Sequence, residues 1–188
     1  MELRLACHRD AGGIAEIYGP IVTSTVISFE LHPPDNEEIA RRIDAILRAY
    51  PWLVCVDGGT VAGYAYGSRH RPRAGYDWSV EVSAYVHPNF QRRGIGRRLY
   101  QSLFGILKAQ GYFNAYAGIA LPNAASIGLH ESLGFQPVGV YRKIGYKLGA
   151  WHDVGWWQLA LQETMREPKP PLSLEAVQRE AAWPHLLS

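Results

Sequence analysis

The sequence contains few cysteines and carries little net charge. The chain of 188 residues contains two cysteines, Cys7 and Cys55, and neither lies in a Cys-x-x-Cys pair or at metal-ligand spacing from a histidine. This pattern excludes a disulfide framework and suits a reducing compartment. The 19 basic and 17 acidic residues leave a formal net charge of +2. A charge so nearly balanced argues against a molecule whose whole surface binds nucleic acid.

Long apolar runs are also missing, since none approaches the ~20 residues that a membrane span requires. The first residues lack the basic start and apolar core of a secretory signal. Hydrophobic residues make up 47% of the chain and charged residues 19%, which is typical of a globular protein. We therefore expect a soluble cytoplasmic protein with no membrane partner and no nucleic-acid partner.

Strand and helix patterns alternate along the chain. Apolar residues recur at helical spacing after Asp10, Asp35, Gly96 and Asn123, and Asp10 and Asp35 are predicted to cap their helices. Seven segments have strand patterns: 3–7, 52–57, 60–68, 77–86, 112–119, 138–148 and 154–161. This order predicts an α/β or α+β fold with helices on the faces of a single sheet.

The composition changes near residue 163, where prolines precede a short helical pattern. We therefore divide the chain into a main domain, residues 1–162, and a Pro-rich C-terminal extension, residues 163–188. Trp183 and Leu186 are candidates for docking the extension on the main domain or on a partner. A partly disordered tail is an equally good interpretation of the same residues.

The segment from Gln91 to Arg98 carries two glycines and four arginines between a predicted strand and a predicted helix. Glycines let backbone N–H groups approach an anion closely, and the positive end of the helix dipole points to the same place. Arginine guanidinium groups match phosphate oxygens. The segment therefore predicts a pyrophosphate site.

The same segment departs from two common phosphate-binding motifs. A Gly-x-Gly-x-x-Gly dinucleotide loop needs a third glycine, where this chain has Leu99, and a Walker loop needs Lys-Ser or Lys-Thr after its last glycine. From Gly94 and Gly96 alone, a basic turn that only connects a strand to a helix explains the sequence equally well.

Two strings of residues carry a family resemblance. The first is Val86-His87-Pro88-x-x-Gln91-Arg92-Arg93-Gly94-Ile95-Gly96, and it resembles motif A of the GNAT superfamily of N-acetyltransferases. The second is Asn123-Ala124-Ala125-Ser126 with Glu131-Ser132-Leu133-Gly134-Phe135, which is similar to another motif of that superfamily. The resemblance spans about residues 3–161. It implies a single mixed, mostly antiparallel central sheet with helices on both faces.

The resemblance also implies that acetyl-CoA is the co-substrate and that no metal is needed. The residues that it assigns to acetyl-CoA follow the two motifs, and they are Tyr85, Val86, Gln91, Arg92, Arg93, Gly94, Ile95, Gly96, Arg97, Asn123 and Ser126. Among them, the backbone N–H of Val86 is implied to face the thioester oxygen.

Five further strings carry a narrower resemblance. They are Ser28-Phe29-Glu30, Tyr76-Asp77-Trp78-Ser79-Val80-Glu81, Leu121-Pro122-Asn123, His130-Glu131 and Trp151-His152-Asp153-Val154-Gly155-Trp156-Trp157-Gln158-Leu159. These strings resemble the phosphinothricin and methionine sulfoximine acetyltransferases, which acetylate the α-amine of small amino-acid analogues. The resemblance implies a small-molecule amine substrate. It also implies a homodimer, for which the aromatic-rich last strands offer a surface.

Glu81 and His130 are the catalytic candidates. The resemblance assigns a general base to Glu81, and partial burial would raise the pKa of its carboxyl into a useful range. The alternative for Glu81 is an ordinary ion pair with Arg71 or Arg73. His130 is a candidate proton donor to the thiolate or a helper of the base, and a purely hydrogen-bonded role remains equally open.

The substrate candidates lie in two loops. Arg71 and Arg73, with Tyr76 close by, suit a carboxylate or a phosphinate. Phe29 and Glu30 lie between two predicted helices, where they can close the pocket and meet the substrate ammonium.

Three rival functions remain open at the sequence level. They are acetylation of another amine (a protein N-terminus, a polyamine or an aminoglycoside), a non-catalytic CoA-binding sensor, and a nucleic-acid-binding module. Within the acetyltransferase interpretation, direct transfer in a ternary complex is expected, because no cysteine is positioned to carry the acyl group.

Overall fold

A mixed sheet forms the centre of the computed structural model, which describes residues 1–187. Its strands are β1 (Glu2–Leu5), β2 (Trp52–Asp57), β3 (Thr60–Arg69), β4 (Ser79–Val86), β5 (Asn114–Ala120), β6 (Gln136–Lys147) and β7 (Ala150–Ala160). Within the described residues the strand order is β1-β2-β3-β4-β5-β7-β6, and β4–β5 is the one parallel pair. The predicted mixed, mostly antiparallel sheet is confirmed.

Helices cover both faces of this sheet. They are α1 (Ala11–Ser24), α2 (Asn36–Leu47), α3 (Ile95–Gln110), α4 (Ala124–Ser132), α5 (Leu174–Gln178) and α6 (Trp183–Leu186). Successive side chains of a strand point to opposite faces, so Trp52 packs in the cluster under α1 and α2 while Leu53 packs under α3. The predicted arrangement of helices on both faces is therefore confirmed.

Two of the predicted helix starts have the expected chemistry. The carboxylate of Asp35 accepts the N–H of Glu38 at 2.8 Å, and the amide oxygen of Asn123 accepts the N–H of Ser126 at 3.1 Å. Each side chain satisfies one of the N–H groups that a helix leaves unpaired at its start.

Asp10 differs from its predicted role as the cap of α1. Its carboxylate accepts two hydrogen bonds from the guanidinium of Arg4, at 2.7 and 2.8 Å, and a third from the N–H of Cys7 at 2.8 Å. No side-chain hydrogen bond caps α1 at this residue. The prediction is wrong because the partly buried ion pair with Arg4 takes the oxygens that capping requires.

The last two strands form a longer hairpin than the sequence predicts, because β7 begins at Ala150 rather than at residue 154. Strand β6 lies at the edge of the sheet. Large apolar side chains are exposed along this hairpin, and they are Val138, Val140, Tyr141, Ile144, Tyr146, Leu148 and Trp151. We call this set the hairpin surface.

The C-terminal extension packs against α3. Leu174 and Val177 are buried. The backbone N–H of Leu172 donates to the carbonyl of Gln110 at 2.7 Å, and the Gln110 side chain donates to the carbonyl of Leu172 at 3.0 Å. The extension thus continues the core on the α3 face. Among residues 1–187, no helix has the length and apolar character needed to cross a bilayer.

Strands β4 and β5 separate after a short ladder. Their pairing covers three registered positions, of which the last is Glu81 opposite Tyr116. Beyond that point β4 stays paired to β3 as far as Val86, while β5 stays paired to β7 as far as Ala120. The divergence opens a slot in the middle of the sheet, with Glu81 at its closed end.

Candidate active site

A groove of about 580 Å³ runs between the end of β4, the start of α3 and the exposed side of α4. It collects all but one of the residues predicted to bind acetyl-CoA: Tyr85, Val86, Gln91, Arg92, Gly94, Ile95, Gly96, Arg97, Asn123 and Ser126. The exception is Arg93, whose guanidinium lies over the ring of Phe90 at 5.2 Å.

The two glycines shape the start of α3. Gly94 has a φ of 78°, in the left-handed region that favours glycine, and it provides no side-chain cap. A Cβ on Gly96 would lie 3.1 Å from the Leu129 side chain and 3.6 Å from that of Val86, so glycine allows α3 to pack close to α4 and β4. The first N–H groups of this 16-residue helix are thereby left available to an anion in the groove.

The arginines of this loop differ in their contacts. Arg92 lines the groove from a backbone with a φ of 61°. Arg97 also lines the groove, but its guanidinium donates to the Ser132 hydroxyl at 2.7 Å and to the Ser132 carbonyl at 3.3 Å. The guanidinium of Arg97 is therefore shared with the end of α4.

The slot between β4 and β5 continues the groove into the sheet. Its walls come from β4 and β5, with Tyr100, Asn123, Ser126 and His130 around them. The slot and the groove share six lining residues: Ile27, Ala84, Tyr85, Asn123, Ser126 and His130. A long ligand seated along α3 can therefore extend one end between the two strands.

The Glu81 carboxylate contacts two side chains, His70 and Arg71, where the ladder between β4 and β5 ends. Its Oε1 lies 3.1 Å from Nδ1 of His70 and 3.5 Å from the guanidinium of Arg71. Burial raises the pKa of the Glu81 carboxyl above its ordinary value, while the hydrogen bond from His70 and the charges of His70 and Arg71 act in the opposite direction. A carboxylate with a raised pKa is a stronger base than an ordinary glutamate.

The contact with Arg71 matches one of the two ion pairs that the sequence left open, and Arg73 does not share it. Arg73 is exposed at the start of a 3₁₀ turn, Ala74–Tyr76. The guanidinium of Arg71 also lies 5.8 Å from the ring centre of Trp156, whose indole N–H is buried without a hydrogen-bond partner among the described residues. Arg71 therefore joins the site, whereas Arg73 lies at its margin.

His70 is a site residue that the sequence analysis did not single out. Its ring stacks on Tyr116, with centroids 4.5 Å apart, and meets the edges of Tyr76 and Trp156 at 6.2 and 6.1 Å. The signal lay in strand alternation: Ser68 of β3 pairs with Glu81, and His70 follows two residues later, just beyond the end of the strand.

The structure gives Glu30 a different role from the predicted contact with a substrate ammonium. Its two oxygens accept hydrogen bonds from the guanidinium of Arg42 at 2.7 and 3.0 Å, and the Tyr18 hydroxyl donates to it at 2.9 Å. The Arg42 guanidinium holds the pKa of the Glu30 carboxyl below its ordinary value. A carboxylate already paired in this way argues against the predicted contact.

Phe29 lies against the last hairpin rather than in the slot. A Cβ on Gly145 of β6 would overlap the Phe29 ring, which also lies 6.3 Å from the ring of His152. Lys147 of the same strand donates to the carbonyl of Ser28 at 2.6 Å. The residue of this loop that lines both the slot and the groove is Ile27.

His130 is buried, and both of its ring nitrogens have partners. Nδ1 lies 2.7 Å from the carbonyl oxygen of Ser126, which can only accept, so Nδ1 carries a proton. Nε2 lies 3.0 Å from the Tyr100 hydroxyl. Burial lowers the pKa of His130, although the hydrogen bond to Ser126 opposes this shift. The geometry therefore favours the hydrogen-bonded role over proton transfer. Within residues 1–187 no cluster of three or more metal-ligating side chains is present.

Comparisons with known proteins agree with this geometry. Residues 3–156 match a family profile described as an acetyltransferase (GNAT) domain. A phosphinothricin N-acetyltransferase of Streptomyces viridochromogenes is 37% identical over 177 residues, which cover 94% of this chain and 94% of that protein. An L-methionine sulfoximine/L-methionine sulfone acetyltransferase of Salmonella typhimurium is 37% identical over 87% of this chain and 96% of its own length.

A solved structure supports the same family assignment. The phosphinothricin acetyltransferase of Sinorhizobium meliloti, in complex with AcCoA, superposes with a TM-score of 0.83 at 35% identity, covering 92% of this chain and 97% of that one. These matches extend over the sheet, the groove and the slot, and they confirm the resemblance found in the sequence. The chain belongs to the GNAT family of acetyltransferases.

Proposed function

We propose that the protein transfers the acetyl group of acetyl-CoA to the α-amine of a small amino-acid analogue of the phosphinothricin, methionine sulfoximine or methionine sulfone type. The observation that carries this proposal is the position of Glu81. It is the last residue of β4 that pairs with β5, at the point where the slot begins, and its carboxylate meets the cationic side chain of Arg71. The activities named for the relatives support the same reaction class.

The donor side of the site fits acetyl-CoA, which supplies an activated thioester when bound. The uncapped start of α3 suits a pyrophosphate, because its free N–H groups and its dipole both favour negative charge. Gln91 and Arg92 line the same part of the groove. We assign to the backbone N–H of Val86, at the mouth of the slot, the stabilisation of negative charge on the acetyl oxygen during transfer.

The acceptor side fits a small amino-acid analogue that carries an ammonium and at least one anionic group. We assign to Glu81 the removal of a proton from the substrate ammonium, directly or through one water molecule, because burial keeps its carboxyl a stronger base than an ordinary glutamate. Arg71 offers a guanidinium for a carboxylate or a phosphinate. Holding both substrates at the end of the slot supplies much of the rate.

The cysteines support direct transfer in a ternary complex. Cys7 and Cys55 are free thiols, and neither lines the groove or the slot. A thiol acyl carrier would have to lie within reach of both substrates. Free thiols also suit the reducing cytoplasm that we propose as the compartment of this enzyme.

We further propose that two copies of the chain associate through the hairpin surface. Strand β6 is an edge strand of 12 residues, and exposed apolar edges of this length invite pairing with another chain. The rings of Tyr146 and Trp151 form an exposed aromatic pair, with centroids 5.4 Å apart. Several large apolar side chains exposed along one hairpin are typical of a protein interface.

A panel of amines tests the proposed acetyltransferase activity. Thiol release from acetyl-CoA would be measured with phosphinothricin, methionine sulfoximine, methionine sulfone, ordinary amino acids, a polyamine and a peptide N-terminus. We expect the highest kcat/KM for the first three compounds. Turnover confined to the polyamine or the peptide would assign another amine, and tight CoA binding without turnover of any amine would indicate a sensor.

Replacing Glu81 with Gln tests the base. The E81Q variant should lose about 10²- to 10⁴-fold in kcat, the usual contribution of a positioned base, because an amide cannot accept the proton. Its affinity for acetyl-CoA, measured by calorimetry, should match the wild type. Glu163, an exposed residue of the extension, provides the matched control E163Q. Equal kcat in E81Q and E163Q would exclude the proposed role.

The anion site is tested by comparing Arg71→Gln with Arg73→Gln. Since a hydrogen bond to a charged group contributes about 1.5–3 kcal/mol, R71Q should raise KM for phosphinothricin on the order of tenfold or more. The rise should be smaller for methionine sulfone, whose sulfone is neutral, and smaller for R73Q. Rates should be compared at alkaline pH, which favours the ionised form of Glu81 in every variant. Equal rises in KM for both substrates would assign Arg71 to the α-carboxylate that they share, and an unchanged KM for both would exclude Arg71 from the anion site.

The association is tested by Trp151→Glu, which introduces a charge into the hairpin surface. Wild type should elute at twice the mass of one chain in size-exclusion chromatography with light scattering, and W151E should shift toward the single-chain mass. The control is Met165→Glu, because Met165 is equally exposed but lies outside the hairpin. A wild type that is monomeric at micromolar concentration would contradict the proposal.

A further inference from the structure

We infer that His70 is a positioning residue for Glu81, and that the pair works as a unit in which His70 holds one carboxylate oxygen and leaves the other to receive the substrate proton. The inference rests on the proposed role of Glu81 as the base. It adds a residue to the site and assigns separate tasks to the two oxygens of the carboxylate.

The two contacts of the carboxylate converge on one atom. The Nδ1 of His70 and the guanidinium of Arg71 both approach Oε1 of Glu81, at 3.1 and 3.5 Å. A carboxylate only accepts hydrogen bonds, so the Nδ1 of His70 carries the proton of this contact. Oε1 is therefore the anchored oxygen. We assign the acceptance of the proton to Oε2, a step in which no bond of His70 breaks.

The imidazole is held in place by rings from three different elements. It stacks on Tyr116 of β5 with an angle of 12° between the planes, and it meets Tyr76 of the 3₁₀ turn and Trp156 of β7 edge-on. Only 12% of the His70 side chain is exposed, compared with 32% of the Glu81 side chain. A ring fixed in this way keeps its N–H directed at Oε1 without losing further rotamer freedom when substrate binds.

Few other titratable groups face the pair. Arg71 comes from the loop, Tyr76 from the 3₁₀ turn, Tyr66 from β3 and Tyr116 from β5, and β7 contributes Trp156, which does not titrate. His70 and Arg71 both act to lower the pKa of Glu81, against the larger effect of burial. Loss of the His70 donor should therefore raise the pKa of Glu81 further.

The direction of this pKa change determines the pH at which loss of His70 should lower activity most. A base works in its deprotonated form, so a carboxyl with a raised pKa loses activity first at acidic pH. Profiles of kcat/KM from about pH 5.5 to 9.5 would be measured for wild type, His70→Phe and His70→Gln. H70F keeps a planar ring against Tyr116 but has no donor, whereas H70Q keeps a donor that does not titrate.

We expect H70F to lose about tenfold at the acidic end, the effect of one hydrogen bond to a charged group, and much less at the alkaline end. The acidic limb of its profile should move to higher pH, and H70Q should recover part of the loss. A loss in H70F that is equal at every pH would mean that His70 only packs in the site, and would overturn the inference. Thermal melts of each variant would identify any that fails to fold.

A double variant separates the inference from the proposed function. If His70 acts through Glu81, adding H70F to E81Q should cost less than about twofold beyond E81Q alone, because coupled residues are not additive. Losses that multiply would contradict the inference. If E81Q keeps wild-type activity, the proposed base fails; if E81Q is inactive and H70F retains the wild-type profile, only the role of His70 fails.

Discussion

The short ladder between β4 and β5 is the constraint on which the rest of the site depends. Each strand keeps its other neighbour beyond the ladder, so the sheet opens at its centre without losing its two halves. The backbone groups along the inner edges are released from each other and can meet a ligand instead. Glu81, the last residue of β4 that pairs with β5, lies where the opening begins.

Features that depend on neighbouring residues were predictable from the sequence. The caps at Asp35 and Asn123 and the glycine-shaped start of α3 involve residues at most a few positions apart. The sheet class and the two helical faces followed from the order of the patterns and from the family resemblance. The separation of β4 from β5 has no local signal, because it depends on which strands remain paired across distant parts of the chain.

Whether a side chain is free to cap a helix or bind a substrate was harder to predict than its chemical type. Asp10 and Glu30 are carboxylates with suitable spacing, but Arg4 and Arg42 take up their oxygens in three dimensions. His130 has both nitrogens engaged for a comparable reason. His70 is the opposite case. Its local sequence indicates no role, but the register of β3 against β4 brings this loop histidine next to Glu81.

The attachment of the Phe29 loop to the last hairpin has a thermodynamic consequence. Phe29 packs on Gly145, Lys147 binds the carbonyl of Ser28, and the neighbouring Ile27 lines the slot. The same hairpin carries the surface that we propose for association. If the strands of the hairpin shift when two copies associate, the wall of the slot formed by Ile27 shifts with them. Association then changes the affinity for substrate by some factor, and by linkage bound substrate changes the affinity of the two copies for each other by the same factor. The fraction of sites with bound substrate would then depend on the concentration of the protein.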